Sequence, residues 1–103
     1  MEYKVKVTDM FNSILFSIGD EKQRPIAIAI LHMKNHQIGD LIVDSKYRNK
    51  GFGSKLLKEI ENYAENHNIP YLTSVTHKDN IAARELFKKM GYKEWIKVEK
   101  WLE

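Results

Sequence analysis

Apolar and polar positions alternate along the first third of the chain and later repeat at a longer period, and this change divides it into elements. Tyr3-Lys4-Val5-Lys6-Val7 alternates with a period of two, as a half-buried strand does, and Asp9 with Asn12 marks a turn after it. Ile14-Leu15-Phe16-Ser17-Ile18 predicts a second strand, and Gly19-Asp20-Glu21-Lys22 a polar hairpin connection. The run from Ile26 to Met33 is apolar almost throughout. Its length, its isoleucines and the turn residues on either side favour strand over helix. Lys34-Asn35-His36 then turns the chain into Gln37-Ile38-Gly39-Asp40-Leu41-Ile42-Val43. Four strands joined by short turns predict an antiparallel meander.

Beyond this point the period becomes helical. From about Gly53 to about His67, Leu56, Leu57, Ile60, Tyr63 and Ala64 form an apolar stripe, with Lys55, Lys58, Glu59, Glu61 and Glu65 directed outward and Asn66, Asn68 and Pro70 closing the helix. Tyr71 to Thr76 predicts a fifth strand, parallel to the fourth because a helix crosses between them. Asp79 or Asn80 can cap a second helix with Ala82, Ala83, Leu86, Phe87 and Met90 as its stripe and Gly91 as its stop. Tyr92 to Leu102 reads as a closing strand. The expected fold is one α/β (α+β) domain over residues 1–103, with a mixed, mostly antiparallel sheet of about six strands and two main helices.

Composition narrows the chemistry. A net charge of +3 mildly favours anionic partners. Lys46, Arg48 and Lys50 cluster, but only Tyr47 and Phe52 are interleaved with them and no groove-binding helix pattern appears, so nucleic acid is not the expected partner. The absence of cysteine excludes disulfides, thiolate metal sites and a cysteine acyl-enzyme, and no metal is expected. No apolar run reaches membrane-spanning length, and the N-terminus lacks the apolar core of a signal peptide; a cytoplasmic protein without membrane contact is the expectation.

The stretch from Val43 to Ser54 joins the fourth strand to the first helix and carries Gly51 and Gly53 where that helix starts. A helix start leaves backbone N–H groups unpaired at the positive end of the dipole, which suits a phosphate or another anion, and glycines let the anion come close. A dinucleotide fingerprint would need glycine where Leu56 stands. A phosphate-binding P-loop would need a Gly-Lys-Ser/Thr triplet, whereas the order here is Gly53-Ser54-Lys55. Both patterns fail, and an ordinary strand-to-helix turn stays open on these residues alone.

Arg48-x-x-Gly51-x-Gly53, following Leu41-Ile42-Val43, resembles the acyl-CoA pyrophosphate motif of the GNAT acetyltransferase superfamily, Gln/Arg-x-x-Gly-x-Gly/Ala. Downstream, Asn80 to Tyr92 is similar to the family's second motif, Asn-x-x-Ala-x-x-x-Tyr/Phe-x-x-x-Gly-Phe/Tyr, at the expected distance. The match covers about Gln37 to Tyr92. It implies a GNAT-like sheet whose fourth and fifth strands are parallel and splay apart, and acetyl-CoA as the acyl donor. The cofactor contacts it implies are Leu41, Ile42 and Val43 along the pantetheine arm, the backbone of Arg48, Asn49, Lys50, Gly51, Phe52, Gly53 and Ser54 around the pyrophosphate, Asn80 near the pantetheine or the sulfur, and Phe87 near the sulfur. The backbone N–H of Val43 would polarise the thioester carbonyl.

The resemblance further implies an N-acetyltransferase in which a primary amine attacks the thioester directly in a ternary complex. The base that takes the amine's proton is not named by the motifs; Asp40 is the best single carboxylate, with Gln37 beside it. His32, His36 and His77 are read as surface or packing residues ahead of catalytic ones. The chain departs from the family pattern twice. Phe87 stands where many members carry a proton-donating tyrosine, and Thr8 to Ser13 leaves no room for the two helices that usually wall the acceptor site. The acceptor pocket is then shallow or completed by a second subunit as a homodimer, which suits a protein or peptide acceptor better than a small metabolite. The alternative is a non-catalytic acyl-CoA-binding or protein-interaction module on the same fold.

Overall fold

The computed structural model describes residues 3–95. Strands β1 (Lys6–Asp9), β2 (Ser13–Gly19), β3 (Pro25–His32) and β4 (Gln37–Val43) form an antiparallel meander, and β5 (Thr73–Ser74) adds to β4 in parallel, giving the order β1-β2-β3-β4-β5. A single 3-10 turn over Ser45–Tyr47 leads into helix α1 (Phe52–Asn66), which crosses from β4 to β5, and helix α2 (Ile81–Lys89) follows. Among the described residues no helix is long and apolar enough to cross a membrane.

Alternation decides which face is buried. Phe16 pairs with Ala29 and Ile14 with Leu31, so these side chains share one face, and Ile38 joins them through its pairing with Leu31. Leu56, Leu57 and Ile60 of α1 pack on this face, each at 0% exposure. Full burial of one such side chain contributes about 1.5–3 kcal/mol, so this contact fixes where α1 starts relative to the end of β4. The opposite face carries Leu15, Ile28 and Ile30, which are half-buried, and Ile42, which is exposed. At the far end of α1, Asn68 takes a left-handed conformation (φ 57°) and the Ile69 N–H donates to the Ala64 carbonyl at 2.9 Å, closing the helix where the sequence marks its end.

Three elements differ from the sequence expectation. The first strand runs from Lys6 to Asp9 rather than from Tyr3 to Val7; Tyr3 instead stands edge-to-face on Phe52 at 5.1 Å, and its carbonyl accepts from the Lys55 ammonium. The fifth strand is two residues long rather than Tyr71 to Thr76, because β4 turns away from it. Among the described residues the sheet has five strands where about six are expected: residues 92–95 carry no strand, and the rest of the closing strand expected over Tyr92–Leu102 falls outside the described residues.

Candidate functional site

The site begins with an irregularity in β4. Ile30 pairs with Gly39 and Ile28 with Ile42, so Ala29 alone stands opposite both Asp40 and Leu41. Two residues against one is a β-bulge, and Asp40 carries it with a left-handed φ of 51°. Backbone groups alternate in direction along a strand. The Asp44 N–H donates to the Ile26 carbonyl at 2.8 Å, toward β3, so Leu41 and Val43 direct their backbone groups away from β3, to the side where β5 would lie. Pairing with β5 has stopped by then: it consists of Gln37 with Thr73 and Ile38 with Ser74, and the Ser74 hydroxyl donates to the Ile38 carbonyl at 3.0 Å at the point of separation. The two parallel strands are therefore joined at one end and split at the other.

The split is a cleft of about 200 Å³. Asp40 and Leu41 line it from β4, Thr76 and His77 from the segment after β5, Asn80 from the residue before α2, and Phe87 from α2. Asp40 is exposed. Phe87 is 9% exposed and stands edge-to-face on Tyr92 at 5.1 Å; the phenyl ring has no proton to give. Burial raises the Tyr92 phenol above its ordinary pKa, with Glu61 adding to the effect. A larger hollow of about 630 Å³ between β1 and the β2–β3 turn shares no residue with the cleft.

Beyond Leu41 the chain of β4 runs on through Val43 to the start of α1. The Asp44 carboxylate accepts from the Lys46 N–H at 2.9 Å and opens the 3-10 turn. Arg48 folds back so that its Nε donates to the Val43 carbonyl at 3.1 Å. Asn49 (φ 62°) and Gly51 (φ 84°) both turn left-handed, and α1 begins at Phe52. Phe52 is the anchor, held edge-to-face between Tyr3 and Tyr47, while Lys46, Arg48, Asn49, Lys50 and Gly51 remain exposed. No side chain caps this helix start and no acid occupies its first turn. Its N–H groups are thus left to whatever anion arrives.

The predicted pyrophosphate residues Arg48 through Ser54 are contiguous around this start, as the sequence requires. Gly53 is buried, and a Cβ there would come 2.8 Å from Leu86 Cδ2, so this glycine lets α2 approach α1. Of the predicted pantetheine contacts, Leu41 lines the cleft, while Val43 and Ile42 do not.

At α2 the Asn80 carboxamide oxygen accepts the Ala83 N–H at 3.1 Å, so the cap expected of Asn80 is formed. Ahead of it, the Asp79 N–H donates to His77 Nδ1 at 3.1 Å, and the Arg84 guanidinium donates to the Lys78 carbonyl at 2.9 Å while gripping both carboxylate oxygens of Glu94. That pairing raises the Arg84 pKa and lowers the Glu94 pKa. Of the other histidines, His36 packs edge-to-face on Tyr71 at 5.0 Å, and His32 lies over Gly39, where a Cβ would come 2.9 Å from its Nε2. Ser74 and Thr76 were not singled out by the sequence, which offers only their place after the fifth strand as a signal.

The chain matches the model of the Acetyltransferase (GNAT) family over residues 3–92. No curated protein sequence matches it. An acetyltransferase of the GNAT family from Staphylococcus aureus Mu50 superposes with a TM-score of 0.76 at 22% identity, covering 82% of this chain and 56% of that one. AAC(6')-Iy in complex with the bisubstrate analogue CoA-S-monomethyl-acetylneamine gives 0.77 at 13% identity, covering 91% and 71%. A Bacillus anthracis str. Ames protein solved in complex with acetyl coenzyme A gives 0.71 at 28% identity, covering 81% and 48%. The chain therefore spans only about half the length of two of these three proteins.

Proposed function

Because the chain belongs to the GNAT acetyltransferase family, we propose that it binds acetyl-CoA along the split between β4 and β5 and transfers the acetyl group to a primary amine by direct attack. The observation that carries this is the continuity of two features. A cleft lined by Leu41 lies at the split of β4 from β5, and the same strand runs on through Val43, whose backbone also turns from β3, to a helix start with no cap of its own. The pantetheine arm of the substrate takes the hydrogen bonds that β5 leaves unmade, and the pyrophosphate takes the amides around Gly51. Neighbouring proteins solved with acetyl coenzyme A or a CoA bisubstrate analogue support the same choice of donor.

The chemistry follows from the groups present. A backbone N–H fixed at the bulge, Leu41 with Val43 beyond it, polarises the thioester carbonyl and stabilises the oxyanion as the amine adds. An alkyl amine has a pKa of about 10.4, so it must lose a proton first. Asp40, exposed at the rim of the cleft on a left-handed backbone, takes that proton directly or through water. The acceptor side is open, since a turn of Met10, Phe11 and Asn12 is all that separates β1 from β2. A lysine or N-terminal amine on a polypeptide, which brings its own walls, fits such a site.

The test is thiol release from acetyl-CoA with peptide amines and small amines offered separately. Release with peptides is expected. CoA binding without release to any amine would instead support the module that lacks transfer, a reading that the missing hydroxyl at Phe87 favours.

A further inference from the structure

We infer that His77 donates the hydrogen bond that stabilises the departing CoA sulfur, which rests on the acetyl-transfer reading of the cleft. Among the described residues lining the cleft, only Asp40 and His77 ionise, and they stand on opposite walls, one on β4 and one on the segment after β5. With Asp40 assigned to the amine's proton, the group on the other wall is available to the sulfur. Ser74 commits its hydroxyl to the Ile38 carbonyl and Phe87 has none; Thr76 and Asn80 also line the cleft with neutral donors, and His77 is the ionisable one on that wall.

The proton on His77 is located by its neighbours. The Asp79 N–H lies 3.1 Å from His77 Nδ1 and can only donate, so in the neutral ring that nitrogen supplies the lone pair, with the Asp79 carboxylate 3.6 Å from the same atom. The neutral ring then carries its hydrogen on Nε2, and among the described residues Nε2 has no partner. The loop is held in place around the ring: the Asn80 N–H donates to the His77 carbonyl at 2.9 Å, and Arg84, tied to Glu94, holds the Lys78 carbonyl. A donor fixed in advance needs no reordering as charge develops. In the step it serves, the C–N bond forms and the C–S bond breaks. The electron pair stays on sulfur, where Nε2–H meets it, and the amine's proton leaves through Asp40 or water. The free thiolate later takes a proton from solvent.

The experiment needs no acceptor. CoA bound at saturation is titrated by the ultraviolet absorbance of its thiolate in the wild-type protein, in His77→Asn and in His77→Gln, with thermal midpoints recorded alongside. Asparagine keeps an acceptor near Nδ1 for the Asp79 N–H but has no donor near Nε2; glutamine reaches the Nε2 position. The bound thiol is expected to titrate about one unit lower in wild type than in His77→Asn, with His77→Gln recovering most of the difference. Equal titration in wild type and His77→Asn, with CoA bound in both, overturns the role of His77 alone. Loss of the shift in both variants assigns it to the bulk of the ring and overturns the role as well. Failure of CoA to bind the wild-type protein overturns the reading of the cleft and this inference with it.

Discussion

Helices α1 and α2 begin in opposite ways. Helix α2 starts on Asn80, whose side chain accepts the Ala83 N–H at 3.1 Å, and the loop before it is closed by hydrogen bonds from Asp79, Asn80 and Arg84. Helix α1 starts on Gly51 at φ 84°, with no side-chain acceptor and no acid in its first turn, although Lys46, Arg48 and Lys50 stand around it. An N-cap typically contributes about 1 kcal/mol. One helix start is therefore completed by the protein's own atoms, while the other forgoes that stability and offers its amides outward. The difference separates a structural terminus from a binding one more sharply than glycine content does, because Gly53 turns out to accommodate Leu86.

The bare start of α1 can be filled by an acid of the protein's own. Ser54→Glu puts a carboxylate in the first turn of α1, where it satisfies the dipole and repels a phosphate. The expected outcome is a loss of about tenfold or more in acetyl-CoA affinity by calorimetry, with the unfolding midpoint unchanged or slightly raised. A variant that loses stability as well as affinity would argue that the start of α1 is not bare. Gly51→Ala tests the backbone: open space surrounds the added methyl, so the left-handed φ alone is penalised, by about 1–2 kcal/mol in chemical denaturation. Asn80→Ala is the reciprocal change. It should lower stability by about 1 kcal/mol, or about 4–8 °C in midpoint, while the rise in midpoint caused by acetyl-CoA persists.

The smallest effect lies just beyond the other end of α2. Tyr92 has its pKa raised, chiefly by burial and also by Glu61, so folding favours the neutral phenol. Its contribution is complete below the unfolded tyrosine pKa of about 10 and is lost as pH rises beyond it. Tyr92→Phe should flatten the alkaline fall of the unfolding midpoint and leave acetyl-CoA binding unchanged.

The parts of this architecture with a simple period were legible in the sequence. Period-two alternation marks the meander, the stripe from Leu56 to Ala64 marks α1, and the crossover makes β4 and β5 parallel. The bulge was not legible, because Gly39-Asp40-Leu41 continues a strand pattern and nothing in it signals that Asp40 will turn left-handed. The length of β5 was hidden for a related reason: Tyr71 to Thr76 has strand composition, but only a partner strand makes a strand, and β4 leaves after Ile38. The candidate donor site was legible as a motif around Arg48 to Ser54. The weight of His77 was not, since it depends on which of its ring nitrogens the Asp79 N–H occupies.

The proposed site places one molecule of acyl-CoA across the bare start of α1 and the split beside it. Its most direct test is the unfolding midpoint of the protein with acetyl-CoA and, separately, with acetyl-pantetheine, which lacks the pyrophosphate. At a hundredfold excess over Kd, acetyl-CoA should add about 2.7 kcal/mol and raise the midpoint by about 10 °C or more, and acetyl-pantetheine at the same concentration should add far less. Equal shifts from the two ligands would contradict the placement of the pyrophosphate at α1, and no shift from either would contradict the site as a whole.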